Sequence, residues 1–317
     1  MSPREKSDIL RRRATEVGFC RVGVTAAKPI ERGDYLLSWL QAGRAGEMDY
    51  LRRNLHIRTD PSQILDGAQT VIVAAMNYHQ EAPGQPEGDP TGRVAMYAWG
   101  NDYHRVVRDR LKRLAELLRC DIDEPFRTRI CVDTAPLLER ELAAAAGVGW
   151  IGKNTMVMHQ EVGSYFFLGT IVTTLNFELD EPAVDHCGTC RQCLDACPTH
   201  AFPAPYEMDA SRCISYLTIE HRGEISSELQ PSMGAWIYGC DVCQEVCPHN
   251  RAAPVTRESE FQIRPPGPNP RLDEVLNWTL EDHRGHVRDS AMDRATLPML
   301  QRNARIVARN TTGSPPT

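Results

Sequence analysis

Apolar positions in the first 180 residues switch repeatedly between helical spacing and continuous β-rich runs. Residues 7–17 read as a helix and 19–24 as a strand, followed by a helix over 36–42 that Gly43 closes. Residues 70–76 (TVIVAAM) are an unbroken apolar run rich in β-branched side chains, the signature of a buried strand. The stretch 80–92 is crowded with Pro, Gly and acids and reads as a loop. Over 104–119, Val107, Leu111, Leu114 and Leu118 share one side of a helix, while Arg105, Arg108, Arg110, Lys112 and Arg113 crowd the rest. Residues 129–132 form a short strand, 136–146 a helix stopped by Gly147, and 166–175 another strand. This alternation predicts a three-layer α/β domain over residues 1–180.

Beyond residue 180, cysteine spacing replaces hydrophobic pattern as the main signal. Cys187, Cys190, Cys193 and Cys197, with Pro198 after the last, follow C-x2-C-x2-C-x3-C-P, the spacing of bacterial ferredoxins. Cys240, Cys243, Cys247 and Pro248 repeat its ending, with Ile237 where the first cysteine belongs and Cys213 between the runs to replace it. In such domains the proline-linked cysteine crosses to the other cluster. The spacing therefore assigns Cys187, Cys190, Cys193 and Cys247 to one [4Fe–4S] cluster, and Cys197, Cys213, Cys240 and Cys243 to another. Structural zinc is the competing reading, but zinc pairs are normally set apart by a longer loop. Cys20, Cys120 and Cys131 stand outside the runs and read as buried, inert thiols. A ferredoxin-like domain is expected over 181–254 and a helical tail over 255–317. In the tail the proline-rich stretch 254–270 connects rather than packs, 272–277 and 297–309 are helical, and 311–317 is disordered.

Composition narrows the class without naming an activity. Hydrophobic and charged fractions of 41% and 25% are those of an ordinary globular chain. No apolar run approaches the ~20 residues that span a bilayer, and the polar start carries no export signal. Thiolate-ligated clusters fit a reducing cytoplasm. A net charge of −6 excludes blanket nucleic-acid binding but leaves room for a local basic face. The helix over 104–119 is the candidate, with six Lys or Arg against Asp109 and Glu116; a merely solvated face is the alternative.

No G-x-G-x-x-G follows a strand, and there is no phosphate-binding loop. Three other stretches carry chemistry-bearing groups. Residues 99–104 (WGNDYH) put aromatic and polar groups at a helix start. Asp133 ends a strand, either as a ligand-edge carboxylate of an α/β sheet or as the N-cap of the next helix. Residues 149–155 (GWIGKNT) form a glycine-spaced loop with a lysine and amide donors, or a plain turn with a solvated charge. Arg58 precedes Asp60 and Pro61, where an ordinary surface residue is the simpler reading.

Together these stretches resemble the epoxyqueuosine reductase family. The resemblance is carried by residues 97–104 (YAWGNDYH), 132–140 (VDTAPLLER), 147–155 (GVGWIGKNT) and 163–169 (GSYFFLG). It continues through 204–206 (APY), 212–221 (RCISYLTIEH) and 237–241 (IYGCD), and covers roughly residues 5–250. Residues 300–305 (LQRNAR) are similar to the family's lead into C-terminal helical repeats, and the sequence ends soon after them, which implies a chain without those repeats.

The resemblance implies a cobalamin-binding α/β domain joined to a two-cluster ferredoxin domain. With no D-x-H-x-x-G in the sequence, it implies a base-off corrinoid, contacted by Arg58, Asp133, Lys153, Asn154, Thr155, Ser164 and Ser215. It further implies removal of the epoxide oxygen of epoxyqueuosine in a tRNA anticodon stem-loop (GUN anticodon), the last step of queuosine biosynthesis. Asp133 matches the proton donor, a role that needs a raised pKa from burial. The implied partners are that RNA and a reductant such as flavodoxin or ferredoxin, for a cytoplasmic monomer. A reductive dehalogenase, a plain electron carrier and a zinc-stabilised RNA-binding module are the competing readings. The missing export signal weighs against the first and the large α/β domain against the second. The colour of the protein would reject the third.

Overall fold

The apolar run at residue 70 becomes the centre of a four-stranded sheet, buried from Thr70 to Met76. A computed structural model describes residues 1–84 and 90–312 of the chain. Its elements begin with α1 (Pro3–Glu16), β1 (Arg21–Ala26), α2 (Gly33–Gln41), α3 (Leu55–Thr59), β2 (Thr70–Asn77) and β3 (Arg93–Val94). Next come α4 (Tyr103–Asp121), β4 (Thr128–Cys131), α5 (Glu139–Ala145), β5 (Trp150–Ile151), β6 (Val157–Met158) and β7 (Phe166–Thr173). The cysteine region holds α6 (Gln192–Asp195), α7 (Ile214–Ile219), β8 (Trp236–Tyr238) and α8 (Val242–Glu245). The chain continues through α9 (Leu272–Asn277), α10 (Leu280–Val287) and α11 (Leu297–Thr312).

The main sheet has the order β1-β2-β7-β4 and every neighbouring pair is antiparallel. Val71, Val73 and Ala75 of β2 face α5, where Leu142 and Ala143 cover them. Ile72, Ala74 and Met76 face Leu10 and Ala14 of α1 and Val107, Leu111, Leu114 and Leu118 of α4. Successive strand residues point to opposite faces, so a run covered on both sides must be apolar throughout. Gly23 in β1 lets the end of α5 approach: a Cβ there would lie 1.9 Å from the Ala146 carbonyl oxygen. The rule that ligands gather at the carboxyl ends of strands belongs to parallel sheets, so it gives no support to Asp133 here.

Several expectations are corrected by the packing. The helix expected from residue 136 starts at Glu139, and its N-cap position is Leu138, which makes no side-chain capping bond. Asp133 therefore caps no helix. The stretch 254–270 packs rather than merely connects: Phe261 is buried in the α1–α4 core, and its carbonyl accepts the Gln80 side-chain amide at 2.7 Å. Val275, Val287, Leu300 and Val307 of the C-terminal helices join the same core. Arg302 fastens them by donating to the carbonyls of Leu217, His221 and Gly223. Ile237 is fully buried in β8, so the position that lacks a cysteine fills core. Of the thiols expected to be buried, Cys131 is, Cys20 is only half-buried and Cys120 is exposed. Thr311 belongs to α11, while residues 313–317 of the expected disordered end, and 85–89 of the expected loop, lie outside the described residues. Among the described residues no helix is long and apolar enough to cross a membrane.

Candidate active site and cluster centres

Short helices present the cysteines from turns, which frees their thiols to converge. Cys187, Cys190, Cys193 and Cys247 line one cavity, together with Lys153, Asn154 and His249. Cys197, Cys213, Cys240 and Cys243 form a second, more deeply set group of electrostatic neighbours. Burial, and then the thiols of Cys247, Cys187 and Cys190, push Cys193 up to about 11. Burial and neighbouring thiols likewise push Cys240 and Cys243 upward. Thiols that raise one another's pKa are poorly placed as free thiolates and well placed around iron, whose positive charge favours the deprotonated form.

Lys153, Asn154 and Ser164 serve this region by internal bonds. The buried Lys153 ammonium donates to the carbonyls of Gly188 (2.6 Å) and Cys190 (2.9 Å), and is not a solvated charge. Asn154 donates to the Cys243 carbonyl at 3.4 Å and accepts the Met156 amide at 3.2 Å. The Ser164 hydroxyl donates to Gln244 Oε1 at 2.8 Å, and its amide donates to Asn250 at 2.7 Å. All three side chains are buried and engaged by the cluster loops. The indole of Trp150 donates to Cys187 Sγ at 3.4 Å.

Asp133 stands outside this region, beside the start of α4. Asp102 caps α4 by accepting the His104 amide at 3.0 Å, and its carboxylate also bonds His104 Nδ1 at 2.7 Å. His104 Nε2 then meets Asp133 Oδ2 at 3.0 Å. Tyr103 stacks on Phe167, with centroids 4.3 Å apart and planes 2° from parallel, and on the His104 ring at 4.0 Å. Burial alone would lower the His104 pKa, but two carboxylates outweigh it and hold the imidazole up at about 9. Desolvation pulls Asp133 up, but the bonds from His104 and Tyr103 and the charges of His104 and Arg140 bring it below the ordinary carboxylate value. The expectation of a raised Asp133 pKa is thus corrected: the proton of this pair resides on His104.

Of the other expected residues, Arg58 lies near this pair. Tyr50 and Arg58 are within electrostatic reach of Asp133, as is Arg294, which is doubly bonded to Glu220 at the end of α7. Arg58 donates to the carbonyls of Arg53 and Tyr50. Ser215 lies beside the Cys213 thiol. Thr155 has φ 64°, and its buried Oγ1 has no hydrogen-bond partner among the described residues. The Thr155 carbonyl takes a 3.0 Å hydrogen bond from Arg140. The charges of α4 are largely spent on acids: Arg105 pairs with Glu260, Arg110 with Glu258, Lys112 with Asp109 and Arg113 with Glu116. That weakens the case for α4 as the basic RNA-binding face. Sequence reasoning quoted His104 and Glu139 within motifs but gave neither a role. Asp102 at an N-cap two residues before a histidine was the signal for the first.

The cysteine region and the segment before Asp133 both match known families. Residues 186–250 match a 4Fe-4S double cluster binding domain. With the carboxylate–imidazole pair, this defines an iron–sulfur oxidoreductase. Residues 58–134 match the family of epoxyqueuosine reductase QueG. Epoxyqueuosine reductase of Pseudomonas aeruginosa is 43% identical over 91% of this chain and 81% of its own. That of Escherichia coli is 40% identical over 93% and 78%. The chain belongs to the epoxyqueuosine reductase family. A solved epoxyqueuosine reductase with an epoxyqueuosine-modified tRNA-Tyr stem loop matches at TM-score 0.90 and 31% identity, over 97% of this chain and 82% of that one. Another, from Bacillus subtilis with its catalytic aspartate loop swung out of the active site, matches at TM-score 0.88 and 30% identity, over 97% and 82%. A catabolic reductive dehalogenase shares the fold alone, at 14% identity and TM-score 0.50.

Proposed function

We propose that this protein reduces epoxyqueuosine to queuosine at the wobble position of tRNA, with two [4Fe–4S] clusters feeding a base-off cobalamin. The observation that carries the reading is the pairing of two four-cysteine groups with a proton-bearing His104–Asp133 couple. In this reading Cys187, Cys190, Cys193 and Cys247 ligate one cluster, and Cys197, Cys213, Cys240 and Cys243 the other. Residues 1–180 form the corrinoid domain, 181–254 the cluster domain and 255–317 the tail.

The corrinoid fits the residues present. Thr155 Oγ1 is a buried polar atom without a partner among the described residues, and a backbone at φ 64° in a β-branched residue is the kind of strain that accompanies ligand sites. Arg58, Thr155, Ser215 and Asp133 are its proposed contacts, while Lys153, Asn154 and Ser164 brace the cluster loops from behind. When bound, the corrinoid supplies a low-potential, two-electron route to the strained epoxide. The overall change takes two electrons and two protons, and yields an alkene and water.

Asp133 relays a proton from His104, which Asp102 holds in place, to the departing oxygen, and solvent supplies the second proton. Handing the proton on through an imidazolium removes the need for a strongly raised carboxyl pKa. The RNA partner is an anticodon stem-loop with a GUN anticodon. The electrons come from a low-potential carrier such as flavodoxin or ferredoxin. The working form is a cytoplasmic monomer. Reconstituted protein, given epoxyqueuosine-containing tRNA and a chemical reductant, should yield queuosine by nucleoside mass spectrometry. No conversion by protein fully loaded with iron and cobalamin would reject the reading.

A further inference from the structure

The backbone at Asp133 turns left-handed, with φ 52°. A non-glycine residue stays there only where its surroundings hold it. The Asp133 amide donates to Glu139 Oε2 at 3.0 Å, across the turn that leads into α5. The other oxygen of the same carboxyl, Oε1, is buried and has no hydrogen-bond partner among the described residues. A buried carboxylate with one bare oxygen is unfavourable, whereas a carboxyl with its proton on Oε1 still leaves Oε2 to accept the amide. The charged and titratable groups facing Glu139 are Asp133 and Cys131 at the end of β4, Tyr103 and His104 at the start of α4, and neighbouring Arg140. Burial, and then the charge of Asp133, push the Glu139 carboxyl up to about 8.

We infer that Glu139 is the positioning residue for Asp133: its neutral carboxyl latches the Asp133 turn by accepting the amide, and its ionisation opens the latch. Ionised Glu139 sets a second negative charge against Asp133 in a buried site; the Asp133 amide bond, His104 and Arg140 favour that charge, but burial and the Asp133 charge outweigh them. The inference rests on the reading of Asp133 as proton donor, but the latch itself has a readout that needs no substrate.

Amide hydrogen exchange of residues 131–137 measures it directly. At neutral pH, Glu139→Ala should speed exchange there about tenfold or more, with β2 and β7 unaffected. Wild-type protection, corrected for chemical exchange, should fall as pH rises through about 8, while Glu139→Gln, which cannot ionise, keeps its protection. In turnover, Glu139→Ala should lower kcat by about tenfold or more and leave KM for the RNA little changed, since misplacing a catalytic group acts on the chemical step. The kcat profile of Glu139→Gln should lack the wild-type fall near pH 8. Wild-type protection in Glu139→Ala, or a wild type whose protection ignores pH over that range, would overturn the latch. Should Glu139→Ala fail to fold, the pH contrast between wild type and Glu139→Gln carries the test. An intact latch in a loaded protein that leaves epoxyqueuosine unchanged rejects the proposed function and not the latch.

Discussion

His104 Nε2 lies 3.0 Å from Asp133 Oδ2, and in the proposed function that contact makes the two residues act as one acid. With carboxylates on both ring nitrogens the imidazole keeps its proton past neutrality. Asp133→Asn should lower turnover by roughly a hundredfold or more, the usual range for a lost acid. No helix cap is lost with it, so the fold and the iron content should stay at wild-type levels. Near-normal turnover in a fully loaded Asp133→Asn protein would move the acid to Tyr103 or to His104 itself.

The same contact sets a pH dependence of stability. The folded His104 pKa, about 9, lies above the ordinary value of 6.5. Its contribution is therefore fully present below about 6.5 and is lost as pH rises through about 9. Glu139, raised from 4.5 to about 8, acts in the same direction, because its buried charge becomes costly as pH climbs. Thermal melts of the wild type should thus weaken between pH 7 and 9, and His104→Asn should flatten part of that slope. A His104→Asn protein with the wild-type pH slope would show that the imidazole is neutral when folded.

Patterns of period and spacing were legible because they follow from local geometry. The apolar side of α4 and the run that became β2 are properties of a helix face and a doubly covered strand. Strand direction was not legible, since α/β alternation does not distinguish connections that return antiparallel. Phe261 was hidden among prolines, and only its partners across the fold, Gly100 and Gln80, reveal its burial. Lys153 read as a ligand contact because a glycine-spaced loop with a lysine suits anions. Its ammonium donates to two carbonyls in the cysteine loop, 35 and 37 residues away in sequence. The signs of the Asp133 and His104 shifts also needed the tertiary contact.

Lys153→Met tests that reassignment. It keeps the length and burial of the side chain but removes the donor to the Gly188 and Cys190 carbonyls. The cluster held by Cys187, Cys190, Cys193 and Cys247 should become labile, with about half the iron lost faster in air, on two clusters of four irons each. Corrinoid affinity should hold. Loss of corrinoid binding with stable iron would restore Lys153 as a cofactor contact.

Cys213→Ala should cost one cluster and spare the other. Ile237 fills core in β8, so the second cysteine run has no further thiol to offer, while Cys213 neighbours Cys197 and Cys240. Iron should fall from about eight to about four per chain. An unchanged iron content would remove Cys213 from the ligand set.

Thr155→Gly separates stability from cofactor binding. A β-branched residue at φ 64° stores about 1–3 kcal/mol of backbone strain. Glycine adopts that conformation freely, although its looser unfolded chain returns about 0.5–1 kcal/mol of the gain. The melting temperature of the cofactor-free variant should therefore stay level or rise. The buried Oγ1 has no partner within the described protein, so its removal breaks no internal hydrogen bond. If it is kept for the corrinoid, cobalamin affinity should drop about fivefold or more, the worth of one hydrogen bond of about 1 kcal/mol. Titration of cobalamin absorbance against wild type and Thr155→Gly measures that ratio. A variant that is both more stable and unchanged in affinity would mark the Thr155 strain as unrelated to the cofactor and leave Arg58 and Ser215 as the contacts to test.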